Sequence, residues 1–114
     1  MFPKALVSAA VRPMMLALLG RGESYGYEIA ETLHRLSGGT FAFGDGTLYP
    51  LLHRLESEGL IASQWRPTDE GRRRKYYRIT PKGEKALAVE REQWLEVSTL
   101  LAHLWGPEPL TTSS

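Results

Sequence analysis

Apolar positions along the chain change period several times, and each change marks an element. From about Leu6 to Leu19 they recur at helical spacing. Pro13 falls inside this stretch, so the helix either starts near Arg12 with Pro13 at its first position, or kinks there. Gly20 and Gly22 end it. Ser24 is a suitable N-cap for a second helix, in which Ile29, Leu33 and Leu36 keep the helical period until Ser37, Gly38 and Gly39 stop it. "TFAF" at 40–43 alternates and reads as a small strand. A third helix follows, with Leu48, Leu51, Leu52 and Leu55 on one face. Pro50 would cost about 3 kcal/mol deep inside it, so it is expected to begin no earlier than about Gly46.

After Gly59 the period drops to two. Residues 60–65 and 73–79 read as strands of a hairpin whose charged tip holds Pro67, Asp69 and Gly71. Thr80 and Pro81 then open a last helix, as N-cap and first helical residue, which runs to about Trp105. Three short helices, a hairpin and a long helix predict a mainly α chain with a small antiparallel β-wing. The expected organisation is a winged helix-turn-helix over residues 1–80, a dimerisation helix over 81–106 and a disordered tail over 107–114.

Composition narrows the class only a little. A chain of 114 residues, 42% hydrophobic and 24% charged, suits one globular domain. The longest apolar run, residues 14–19, is far short of the roughly 20 residues that span a bilayer, and it lacks the flanks of a secretory signal. With no cysteine, disulfides and thiolate metal sites are excluded, and a reducing cytoplasm is the expected setting. No membrane partner is expected.

Charge changes the picture more through its distribution than through its sum. The net charge is +1, yet Arg72, Arg73, Arg74, Lys75, Arg78 and Lys82 fall between positions 71 and 82 without an acid among them. Such a local stripe suits phosphate contacts, which position a protein on a duplex without reading its sequence. It also suits a charged turn that keeps an edge strand from pairing, with Asp69 and Glu70 neutralising two of the cations. On the third helix, Thr47, Tyr49, Pro50, His53, Arg54 and Ser57 oppose the leucine face. Arg54 and His53 could reach base edges or phosphates from a major groove, and the same face could equally be plain solvated surface.

The last helix carries a heptad-spaced seam of Leu87, Glu90, Trp94, Val97, Leu101 and Leu104, with Glu90 its one polar member. Leu95, Leu100 and Trp105 widen the apolar surface beyond what one small domain covers, so a second copy of the chain is the expected partner. Trp94 either packs in that seam or offers a flat surface to an aromatic ligand. Catalytic chemistry finds no foothold. His34, His53 and His103 lack metal-ligand spacing, and neither a phosphate-binding glycine loop nor a serine elbow is present. Neither an enzyme nor a cofactor nor a metal is expected.

Three stretches, "SYGYEI" at 24–29, "GTLYPLLHRLESEGLI" at 46–61 and "RRRKYYRITPKG" at 72–83, closely resemble the PadR family of bacterial transcriptional regulators. The likeness covers about residues 11–95, and the single short C-terminal helix is similar to that of the smaller subfamily. The resemblance implies a homodimeric repressor bound to double-stranded operator DNA. Thr47, Tyr49, His53 and Arg54 would then lie on the recognition helix, with Arg72, Arg73, Arg74 and Lys75 on the wing. Leu87, Trp94, Val97, Leu101 and Leu104 would form the dimer interface. Some small members sense planar drugs through a tryptophan of the last helix, which implies a ligand site at Trp94 with Leu87 and Ser98 beside it. The reading from another class is a winged-helix dimer that docks an acidic protein surface and never touches DNA.

Overall fold

The structure, a computed structural model, describes residues 4–42 and 45–106. Its elements are α1 (Lys4–Gly20), β1 (Ser24–Tyr25), α2 (Gly26–Leu36), α3 (Asp45–Ser57), β2 (Ile61–Pro67), β3 (Arg73–Ile79) and α4 (Pro81–Trp105). The three strands form one antiparallel sheet in the order β1-β3-β2. Helices α1, α2 and α3 bury Met15, Leu16, Leu19, Ile29, Leu33, Leu48, Leu52 and Leu55 against Leu60, Ile61 and Tyr77 of the hairpin and the turn before it. Each fully buried aliphatic side chain contributes roughly 1.5–3 kcal/mol, so the leucine face of α3 anchors that helix firmly.

Several expected details come out differently. Of the two readings at Pro13, a start near Arg12 is excluded, since α1 begins at Lys4 and continues through the proline. Pro13 forgoes one backbone hydrogen bond, but Met15, Leu16 and Leu19 just beyond it are in the core and hold the helical course. Ser24 is not an N-cap. It pairs with Tyr77 in the sheet, Tyr25 takes the cap position, and the Ser24 hydroxyl donates to the Glu28 carboxylate at 2.5 Å. The small third strand is therefore at 24–25 rather than at "TFAF". Residues 40–42 form no strand, and Phe43 lies outside the described residues, as does the 107–114 tail.

The reason is where the backbone groups of that loop go. Helix α2 closes in a Schellman motif, with Gly38 at φ 68° and the amides of Gly38 and Gly39 bonded to the carbonyls of Arg35 and His34. The Phe41 amide then donates to the Ser37 hydroxyl at 2.8 Å, and its carbonyl meets His34 Nδ1 at 2.7 Å. Side chains thus satisfy what a partner strand would have satisfied. Helix α3 starts at Asp45, one residue earlier than expected, so Pro50 sits just beyond its first turn. Strand β2 starts at Ile61 and reaches Pro67, two residues further than the predicted end, because its pairing with β3 continues to Pro67 opposite Arg73.

The end of α3, the hairpin and the start of α4 meet at one junction. Thr80 is the N-cap of α4 as expected, its hydroxyl accepting from the Gly83 amide at 3.0 Å and donating to the Gly59 carbonyl at 2.7 Å. The Thr80 amide donates to the Leu60 carbonyl at 3.0 Å, and Lys82 Nζ donates to the Glu58 carbonyl at 2.9 Å. Arg12 bonds Glu58 at 2.9 Å and Glu90 at 3.1 Å, which accounts for the polar member of the α4 seam. The hydrogen bond to Glu58 is the largest cause holding the Arg12 guanidinium still more firmly protonated than usual. Gly83 is buried, and a Cβ there would fall 2.0 Å from the Leu60 carbonyl oxygen. That neighbour is backbone and cannot swing aside.

Gly83→Ala is therefore expected to cost about 3 kcal/mol through overpacking, seen as a fall of roughly 10 °C or more in the thermal midpoint. A midpoint within about 2 °C of the native chain in a melting scan would contradict this reading of the junction.

Candidate nucleic-acid interface

Burial of Leu48, Leu52 and Leu55 turns the opposite side of α3 outward, and Thr47, Tyr49, Pro50, His53, Arg54 and Ser57 are all exposed. Ser57 donates to the Arg54 carbonyl at 2.9 Å and so is already engaged. Tyr49 leans back on α2. A Cβ at Gly26 would come within 2.5 Å of its hydroxyl, so the absence of a side chain at 26 is what lets the ring lie there.

The two faces of the hairpin follow from its register. Ile61 pairs with Ile79, Ser63 with Tyr77, Trp65 with Lys75 and Pro67 with Arg73, while Ala62, Gln64 and Arg66 pair with Arg78, Tyr76 and Arg74. Side chains alternate across a strand, so the first four pairs share the inner face. At its base this face is core, with Ile61 and Tyr77 buried. Burial, with the Glu56 carboxylate nearby, raises the pKa of the Tyr77 hydroxyl above its ordinary value. Glu56 of α3 accepts from Ser63 Oγ at 2.5 Å and lies 3.9 Å from Lys75 Nζ, which fixes the hairpin's angle to the helix. Beyond Glu56 the face opens into a cleft of about 680 Å³ lined by Tyr49, His53, Trp65, Arg73, Lys75 and Tyr77, among others.

The outer face uses its cations differently. Arg66 makes a bidentate pair with Glu23, at 2.5 and 2.6 Å, and lies 4.7 Å from the Tyr76 ring. Arg74 lies 4.0 Å over the Tyr25 ring, and Tyr25 meets Tyr76 edge-on at 5.5 Å. A hydrogen bond to Tyr76 is the first cause raising the Arg74 pKa. Arg74 thus faces away from Arg73 and Lys75, and it spends part of its charge on an aromatic ring. Arg72 and Arg73 are exposed at the tip. Among the described residues, Asp69 and Glu70 form no ion pair within 4.0 Å, although the charge of Glu70 acts on Arg74; the acids in direct pairs with hairpin cations are Glu23 and Glu56.

Of the expected DNA-facing residues, Tyr49, His53, Arg73 and Lys75 come together in one cleft, and Arg74 reaches its lining from the other strand face. Thr47 and Arg54 lie exposed on α3 outside it, and Arg72 is on the turn. Trp65, Tyr25, Gly26 and Tyr27 also line the cleft and were not expected. Parity along the hairpin was the available signal for Trp65, which is an even number of residues from Ile61 and Ser63. On α4, Trp94, Val97, Ser98, Leu101 and Leu104 are exposed, Trp94 at 38% and Leu104 at 69%. Leu87 differs from them: it is partly buried and packs on the chain's own core beside Gly20. Among the described residues no cluster of side chains is suited to a metal ion, and no helix is long and apolar enough to cross a membrane.

Three packed helices followed by a hairpin, with the polar face of the third helix beside the hairpin's basic tip, define a winged helix-turn-helix. Residues 15–89 match the transcriptional regulator PadR-like family, and the chain belongs to that family. It is 40% identical over 90 residues to the transcriptional regulator Rv3488 of Mycobacterium tuberculosis, covering 79% of this chain and 80% of that one. The PadR-like transcriptional regulator of Bacillus cereus has a similar structure, with a TM-score of 0.81 at 33% identity over 92% of this chain and all of that one. A transcriptional regulator from Clostridium thermocellum is similar too, at a TM-score of 0.80 and 32% identity over 89% and 95% of the two chains. The protein is accordingly a winged-helix transcriptional regulator and not an enzyme.

Gly26→Ala pushes on a movable side chain rather than on backbone, so it is expected to displace Tyr49 without unfolding the chain. Affinity for duplex DNA should fall roughly tenfold, as for loss of one good contact, with the thermal midpoint nearly unchanged. Unaltered affinity in an anisotropy titration would remove Tyr49 from the interface.

Proposed function

We propose that the protein is a cytoplasmic, homodimeric repressor that binds double-stranded operator DNA through α3 and the hairpin. The observation that carries this reading is the shared cleft, in which Tyr49 and His53 of the helix face Arg73 and Lys75 of the wing. Helix α3 enters the major groove, where His53 and Arg54 reach base edges and Thr47 and Tyr49 support them. Arg72, Arg73 and Lys75 hold phosphates, with Arg74 contributing from the other face of its strand.

Dimerisation is supported by the apolar surface that α4 leaves open at Trp94, Val97, Leu101 and Leu104. Leu87 supports the helix from its own core side. A twofold dimer would place its two copies of α3 about one helical turn, ~34 Å, apart on a near-palindromic site. Trp94, with Ser98 one turn on and Leu87 two turns back, is the proposed binding surface for a planar aromatic effector between two copies of α4. Such a ligand releases DNA only if it binds the free and DNA-bound dimers with different affinity.

One titration tests the reading. Labelled duplex from upstream of the protein's own gene is followed by anisotropy, and a planar aromatic cation is then added. If the dimer neutralises about six phosphates, affinity falls roughly a thousandfold between about 50 and 200 mM salt. The cation is expected to release DNA from the native protein and not from Trp94→Ala. A salt slope near zero would redirect the basic hairpin to an acidic protein partner. Release that is equal in both proteins would leave Trp94 as packing alone.

A further inference from the structure

We infer that Trp65 is a DNA-contacting residue of the wing, packing on the deoxyribose of the strand that the recognition helix and the hairpin straddle. This rests on the DNA-binding reading and adds to it a contact that charge does not supply. The indole is 54% exposed although it sits on the hairpin's inner face, whose base is core. Its cross-strand neighbour is Lys75, with the ammonium 5.9 Å from the ring, and Arg73 follows at the next inner position. All three line the cleft with Tyr49 and His53 of α3.

The shape of a duplex says what such a slot holds. One sugar–phosphate strand separates a major groove from the neighbouring minor groove. A helix in the first and a hairpin reaching towards the second therefore have that strand between them. The strand alternates charged phosphate with apolar sugar. The slot offers both kinds of group, the cations of Lys75 and Arg73 along one strand and the indole of Trp65 across from Lys75 on the other. Glu56 holds the hairpin at this angle through Ser63 and Lys75, so the indole is presented by a fixed frame. A tryptophan whose only task was to brace the hairpin would find aromatic partners on the outer face, where Tyr25 and Tyr76 meet edge-on.

Salt dependence separates an apolar contact from an ionic one, because each phosphate contact adds about one to the slope of log affinity against log salt. Anisotropy with a mixed-sequence duplex, measured across a salt series, is expected to show Trp65→Ala weaker by roughly tenfold at every concentration with the slope unchanged. Trp65→Phe should keep most of the affinity, and Arg73→Ala, which removes one phosphate contact from each subunit of the dimer, should lower the slope by about two. Native affinity in Trp65→Ala overturns the inference. So does a slope that falls together with the affinity, since the indole would then be bracing the hairpin and its cations. If the native protein shows no salt-dependent duplex binding, the DNA reading itself fails, a result distinct from either.

Discussion

The backbone of Gly83 lies against the carbonyl of Leu60 with no room for even a methyl group between them, and the arrangement of α3, the hairpin and α4 depends on that contact. Leu60 follows α3 and precedes β2, while Gly83 is in the first turn of α4. Their approach brings α3, the hairpin and α4 to one point. Thr80 closes the junction by bonding the Gly59 and Leu60 carbonyls and the Gly83 amide, leaving few backbone groups there without partners. Arg12 then ties α1 to both sides of it through Glu58 and Glu90. A change in the pose of α4 has a short mechanical route to the end of α3.

Past that junction, the working geometry is set by how the hairpin divides its cations. Glu56 takes Lys75 and Ser63 on the inner face, and Glu23 takes Arg66 on the outer one. Exposed ion pairs of this kind contribute little stability, so their main effect is on orientation. Arg72 and Arg73 are left at the tip without an ion pair among the described residues. Basic charge that appears in the sequence as one continuous run is thus delivered to two opposite faces and a turn.

Element order and type were legible wherever hydrophobic period was strong, as in the leucine face of α3, the hairpin and the Thr80-Pro81 start of α4. Errors arose where a local signal had a competing partner. Ser24 has the chemistry of an N-cap, yet Tyr77 offers it a place in the sheet. "TFAF" alternates like a strand, yet His34 and Ser37 at the end of α2 satisfy the backbone of Phe41. Pro13 allows a helix start or a kink, and the start is ruled out because α1 runs on from Lys4 through it to the core residues beyond. In the cleft between α3 and the hairpin, Tyr49 and the basic residues that line it could be picked out from composition and position. Strand alternation alone could have set Arg73 against Arg74 and put Trp65 on the inner face; the clamp at Glu56 and the pairing of Trp65 with Lys75 needed the register, which no local pattern specifies.

The most direct measurement is amide hydrogen–deuterium exchange of the native protein with and without a duplex. Protection on DNA binding is expected in α3 and in the hairpin, strongest around His53, Trp65 and Arg73, with the exposed half of α4 unchanged. Protection confined to α4, or none in the hairpin, would contradict a DNA strand held in the cleft between the two.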